Sequence, residues 1–303
     1  LWQIFSLDLN GDRTMMKNPK KLILALGLVA SCAAAQAFAF SLAGGYTGPI
    51  KVKYSDYEII NLAAISSCIG AGGSGCANGV QDVFGIVDVT SILTPTNTPL
   101  WSKGTGGEEL TGVFYGLDVS KASAGVGSFN AEFTGGKIDL YTNPVGTLNP
   151  ANGTANYTNA AKTQYTGITG GTKFATIDWA PGVDPADGTI TLSANFNSLT
   201  IPTKGAGSGF MNVEPGSGFF AGHLDSNGVA TTFGNADLTF LNNFCTNGQS
   251  GCQGQNGPAD KIGDWDLLSE DPISGRVIPE PGSLALLGLA MASIGLVGLR
   301  RKN

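Results

Sequence analysis

From residue 82 to residue 244 the chain advances in short β-prone runs broken every few residues by Gly, Asn or Pro. Helical periodicity is nearly absent, and such punctuation is the pattern of an all-β sandwich or barrel. Asp82 to Leu93 (DVFGIVDVTSIL) alternates around Val87 and Val89, and Glu109 to Val119 is a second candidate strand. Phe129 to Phe133, then Thr134-Gly135-Gly136-Lys137, then Ile138 to Tyr141 read as a hairpin with a Gly-Gly turn. Further candidates are Phe174 to Trp179, Thr189 to Ile201, Gly218 to Leu224 and Ala236 to Phe244. Gly (45) and Pro (14) make up about a fifth of the 303 residues, below the roughly 25–30% of disordered low-complexity chains. Fifteen Phe, seven Tyr and four Trp supply core-forming side chains. The expectation is one Gly-rich, β-sandwich-like domain over 40–268. Within it Asn143 to Gly171 is read as a long surface connection, and 269–278 (SEDPISGRVI) follows as a short stalk.

After the stalk the composition changes. Residues 283–299 form an uncharged 17-residue run, which as a helix spans roughly 26 Å, just short of a hydrocarbon core. Its glycines weaken a helix in water but permit close helix contact in a membrane. Arg300, Arg301 and Lys302 close the run with positive charge, which favours a cytoplasmic C-terminus. Ahead of it stand Pro279, Glu280 and Pro281; the prolines lack an N–H and bias their predecessors toward extended backbone.

Pro279-Glu280-Pro281, the transmembrane helix expected at 283–299 and the basic terminus stand in the order of the PEP-CTERM sorting signal, which residues 279–303 resemble. That resemblance implies an envelope protein of a Gram-negative bacterium, held transiently in the inner membrane and processed near the triad by exosortase. It then implies release to the cell surface or outside the cell, in organisms that make exopolysaccharide and biofilm. The triad is then a recognition feature of a substrate, not a catalyst. The body also resembles the Gly-rich ectodomains found ahead of such signals, a likeness that brings no activity with it.

The other end agrees with export. Residues 1–14 precede the first methionines and are read as an upstream translation artefact. Residues 15–39 read as a signal peptide for the Sec machinery: Lys17, Lys20 and Lys21, an apolar stretch from Leu22 to Ala30, then small residues. Ala37 and Ala39 stand in A-x-A register, so cleavage follows Ala39 or Ala37. Val29-Ala30-Ser31-Cys32 is a rival reading, as a lipoprotein signal that lipidates Cys32.

Seven of the 17 basic residues and only three of the 23 acidic ones lie in these two end segments, so Phe40 to Pro279 carries a net charge of −10. An acidic body with no basic stripe argues against nucleic acid and anionic lipid as partners. Without Cys32 the cysteines are Cys68, Cys76, Cys245 and Cys252. Proximity favours the disulfides Cys68–Cys76 and Cys245–Cys252 among three connectivities. A zinc site is the alternative, although its ligand pairs usually stand two to four residues apart.

Few parts are available for catalysis. His223 is the single histidine, no G-x-S-x-G elbow occurs, and the acidic pairs Glu108/Glu109 and Asp264/Asp266 are the sort that an acidic surface contains anyway. The chain is therefore read as no enzyme and without cofactor. Three oxygen-rich turns, Asp184 to Gly188, Asp225 to Gly228 and Asp264 to Asp266, are candidates for structural calcium, though none completes a calcium loop. Trp101, Trp179 and Trp265 stand near turn residues and are the candidate sugar-stacking rings. The function expected is a surface or matrix component; the alternative is a carbohydrate-binding or adhesive module of the exopolysaccharide matrix.

Overall fold

A computed structural model describes residues 41–198, 203–246 and 263–279. The segment expected as a Gly-Gly hairpin is a single strand, β5 (Phe129–Pro144), without a turn. Gly135 and Gly136 both have positive φ, at 71° and 94°, and stand where β5 bends beside Gly116 (φ 80°) of β4 (Glu108–Ala124). A Cβ on Gly136 would lie 2.4 Å from Trp179 and 2.6 Å from Leu117, so only glycine permits the bend and the packing together. The two halves of β5 take different partners. Its first half pairs with β7 (Ile190–Phe196), and its second with β6 (Thr172–Ala180).

Strands β6 and β7 therefore share one position in the sheet, and both pair on their other side with β8 (Lys204–Val213). β8 pairs with β11 (Leu238–Thr246), and β11 with β12 (Leu267–Val277). β12 pairs with β1 (Gly48–Ile60), β1 with β2 (Val83–Leu93), and β2 with β4. Every pairing is antiparallel, and the β1–β2 pairing returns the sheet to its start. The expected sandwich is thus an eight-strand barrel-like sheet, which leaves no long edge open among these strands. Short β3 (Pro99–Ser102) hangs on β2, and β9 (Val229–Thr231) pairs with β10 (Gly234–Ala236) as a separate ribbon.

Residues 269–278, expected as a stalk, instead supply most of β12, the strand that closes the barrel against β1. Gly218 to Leu224, expected as a strand, forms turns and the short helix α2 (Ala221–Leu224). A further helix absent from the sequence reading, α1 (Leu62–Gly70), is capped by the Asn61 side chain accepting from the Ala64 N–H. It packs against β4 and is tied down by the Cys68–Cys76 disulfide.

The barrel interior is filled mainly by Val, Ile, Leu and Phe from alternate positions. A second apolar cluster lies on the outer wall. There the 145–171 connection folds back, burying Leu148, Tyr165 and Ile168 with Trp265 over Ile86 and Val113 of the sheet. The connection predicted to run over the surface exists, but it carries its own core.

Candidate functional site

Among the described residues, hydrogen bonds hold the chain down to one residue ahead of Pro279. The Ile278 N–H donates to the His223 carbonyl at 2.8 Å, and His223 Nδ1 lies 3.1 Å from the Ile278 carbonyl oxygen. His223 is carried by α2, and its ring packs 4.7 Å from that of Phe220, which stacks on Phe174 of β6. The sole histidine therefore fastens the end of β12 to the barrel, and Pro279 emerges exposed directly after it. The fold reaches the Pro-Glu-Pro triad with no spacer between them.

Toward the other end of the β1–β12 pairing, where Asp56 stands opposite Ser269 and Glu58 opposite Leu267, the inner face of β1 carries two carboxyls. Asp56 and Glu58 occupy successive inward positions, in line with Ile50, Tyr54 and Ile60. Asp56 is buried at 4% exposure. It accepts from the Ser269 N–H of β12 at 3.0 Å and from the Ser269 hydroxyl, and the Asn242 amide of β11 donates to Ser269 Oγ at 3.1 Å. Glu58 hydrogen-bonds to Asp56 and lies 3.5 Å from the Ser269 hydroxyl. Burial pushes the Asp56 carboxyl up to about 7, although the Ser269 hydrogen bonds oppose the shift. Burial and then the neighbouring Asp56 charge hold Glu58 well above the usual carboxylate range. The sequence reading missed both acids. Their i, i+2 spacing in Tyr54-Ser55-Asp56-Tyr57-Glu58 was the available signal, since it places them on the same face as buried Tyr54.

The carboxylates singled out from sequence have other tasks. Glu109, with 0% exposure, accepts from the Gly146 and Leu148 N–H groups at 2.9 and 2.6 Å, and Lys103 lies 3.4 Å away. Asp264 accepts from the Thr154 N–H at 2.7 Å, and Asp266 from the Ile60 N–H at 3.2 Å. These groups pin loops to the barrel. In the Asp184–Asp187 turn the cation in place is the Lys121 ammonium, 2.8 and 2.9 Å from the two carboxylates. Both carboxyls are held below their ordinary value, Asp184 first by the Lys121 hydrogen bond and Asp187 first by that of Thr189. In the Asp225–Gly228 turn Asp225 accepts from the Asn227 amide at 3.1 Å. Among the described residues no group of three or more His, Cys, Asp or Glu side chains could hold a metal ion.

The three candidate sugar platforms are inside. Trp101, Trp179 and Trp265 are 2%, 8% and 3% exposed, so none presents a ring face to solvent. Trp179 meets Phe240 edge-on within the barrel, and Trp265 donates its Nε1–H to the Pro150 carbonyl under the outer connection. A large flat ring near a turn is as useful for sealing a barrel as for stacking on sugar, and here it seals.

Cys68 and Cys76 are bonded as expected, and Cys245 is disulfide-bonded. Cys252, Ala37, Ala39, Glu280, Pro281, Arg300, Arg301 and Lys302 lie outside the described residues, as do the signal peptide and the apolar run 283–299. Among the described residues no helix is long and apolar enough to cross a membrane. No curated protein and no solved structure matches the chain. The family model for the PEP-CTERM protein-sorting motif matches residues 277–302. Its first matched residue, Val277, is the last residue of β12. The chain thus carries a PEP-CTERM sorting motif, which supports sorting through exosortase toward the cell surface and starts where the barrel ends.

Proposed function

We propose that the chain is a non-enzymatic structural component of the bacterial surface or extracellular matrix, delivered as a closed, disulfide-bonded β-barrel. The Sec machinery takes it across the inner membrane of a Gram-negative cell, and residues 283–299 hold it there until exosortase acts near Pro279-Glu280-Pro281. The observation that carries this reading is the join at Val277, where the closing strand and the sorting motif share a residue. A cut at or after Pro279 removes the tail and leaves every paired residue of β12 in the barrel. The acidic body keeps such a protein soluble once freed. Burial of Trp101, Trp179 and Trp265 leaves those three rings unavailable for stacking on sugar.

The test is to compare the protein in the native host with and without exosortase, by cell fractionation and intact-mass measurement. Exosortase-dependent loss of the 283–303 tail, with the barrel appearing outside the membrane fraction, supports the proposal. An identical tail and location in both strains overturns it.

A further inference from the structure

Beside the continuous β12–β1 pairing, the seam between β12 and β11 has a gap in its backbone ladder. β11 and β12 pair at Phe240–Ile273 and again at Asn243–Glu270, while Leu241 and Asn242 between them pair with β8 alone. Pro272 lies in that interval and has no N–H to give. Side chains cross the seam at this place. Glu58 meets Asp56 on β1, Asp56 accepts twice from Ser269 on β12, and Ser269 Oγ accepts from Asn242 on β11. Three strands are thereby joined through one chain of hydrogen bonds.

The chain borders a cavity of about 50 Å3 inside the barrel, room for a few water molecules. Side chains from β1, β2, β4, β5, β6, β7, β11 and β12, together with Gly207 of β8, line it. The titratable ones are Tyr54, Asp56 and Glu58, all on β1, and none carries a positive charge. The next carboxylate along the seam, Asp266, is committed to the Ile60 N–H, and Glu270 on the outer face accepts from Ser55. Asn242, 7% exposed, keeps its Oδ1 buried without a hydrogen-bond partner in the same wall. A Cβ at Gly207 would fall 2.4 Å from that oxygen. The wall is thus rich in acceptors and has no cation to balance two carboxylates. A carboxyl pair in this setting stays hydrogen-bonded by keeping a proton, with Glu58 donating to Asp56.

We propose that Glu58, Asp56, Ser269 and Asn242 form a proton-dependent latch, which ties β1, β12 and β11 together across the ladder gap and loosens when both carboxyls ionise. The protonated pair holds β12 near its start, at the opposite end of the strand from Val277 and the sorting segment. Ionised, the two charges repel in an apolar interior, and opening the seam to water is the relief available to them.

The test uses the full chain in detergent, as wild type, as Glu58→Gln and as the double variant Asp56→Asn/Glu58→Gln. The amides preserve shape, and the Glu58→Gln side chain keeps a donor toward position 56. Between pH 5 and pH 8 the wild type should lose about 5–10 °C more in melting temperature than the double variant. Hydrogen exchange, corrected for its intrinsic pH dependence, should quicken several-fold at β12 and β11 amides in the wild type only. Equal pH responses in the two proteins overturn the latch. Should the variants fail to fold, the wild type alone decides by infrared spectroscopy. A protonated-carboxyl band that persists at pH 6, where exposed carboxylates are ionised, and fades by pH 9 supports it; no such band at pH 6 overturns it.

Discussion

Two of the places where this barrel buries carboxyls handle them in opposite ways. On the outer wall Glu109 is fully enclosed beneath the 145–148 turn, where two backbone N–H groups and the Lys103 ammonium face it. On the inner wall Asp56 and Glu58 share a lining without any cation. The outer site meets a negative charge with donors and a positive charge. The inner one is stable only while a proton takes the place of the missing cation. The outer group fixes a loop, whereas the inner pair sits on β1 and is tied through Asp56 to Ser269 of β12. Burial alone therefore says little about a carboxyl's task; the partners around it decide.

The largest effect is expected at the outer site. Glu109→Ala leaves the Gly146 and Leu148 N–H groups without their acceptor and Lys103 with Asp88 alone, and should cost about 3–5 kcal/mol in urea unfolding, with early exposure of the 145–171 connection. A loss below about 1 kcal/mol would put the outer carboxylate on a par with surface ion pairs and break the contrast.

The inner pair should show itself through pH. Asp56 is raised from 3.8 to about 7 in the folded barrel. Its stabilising contribution is complete below pH 3.8 and is lost as pH climbs through about 7, because over that range only the folded chain holds the proton. The slope is about 1.4 kcal/mol per pH unit. Wild type minus the Asp56→Asn/Glu58→Gln protein, measured by urea unfolding from pH 4 to pH 8, should fall with that sign. A difference that rises with pH would mean that an unseen cation compensates the pair.

Lys103→Met probes the outer compensation alone. Glu109 would keep its backbone donors, while Asp88, 2.8 Å from the same ammonium, would lose its partner as well. A cost of about 1–2 kcal/mol is expected in the same unfolding assay. The smallest effect belongs to His223→Ala. It removes one side-chain contact to Ile278 but keeps the backbone bond, and should cost less than about 1 kcal/mol while speeding exchange of the Ile278 amide.

The legible parts of the sequence were those with side chains that alternate. β2 and β4 could be read because Val87, Val89 and their neighbours repeat every second residue, and β6 and β11 because their aromatic runs are bounded by turns. β8 (KGAGSGFMNV) was invisible for a physical reason. Its inward positions Gly205, Gly207 and Gly209 are glycines, since a Cβ there would lie 2.1–2.6 Å from Phe244, Asn242 and Trp179. The apolar half of that pattern is thus supplied by other strands. β1 was hidden by acids at inward positions, and β12 by its charges and by Pro272, which sits at the ladder gap. The Gly135-Gly136 pair looked like a turn because positive φ serves a bend in a long strand as well as a hairpin. The sorting motif was readable in full, since its signal lies in composition and order, not in packing. The acid pair at the seam was not, because nothing local marks which strand will close the barrel.

The most direct measurement concerns the join between β12 and the sorting motif. Full-length protein from the native host should be followed to its exported form, and the new C-terminus read by peptide mass spectrometry. Limited proteolysis of the same exported form then reports on the barrel. The expected result is an exosortase-dependent terminus at or just beyond Pro279, with residues 48–277 protected as one unit. A terminus inside β12, or a barrel that retains residues 283–303 whether or not exosortase is present, would contradict delivery as a closed barrel cut at its own edge.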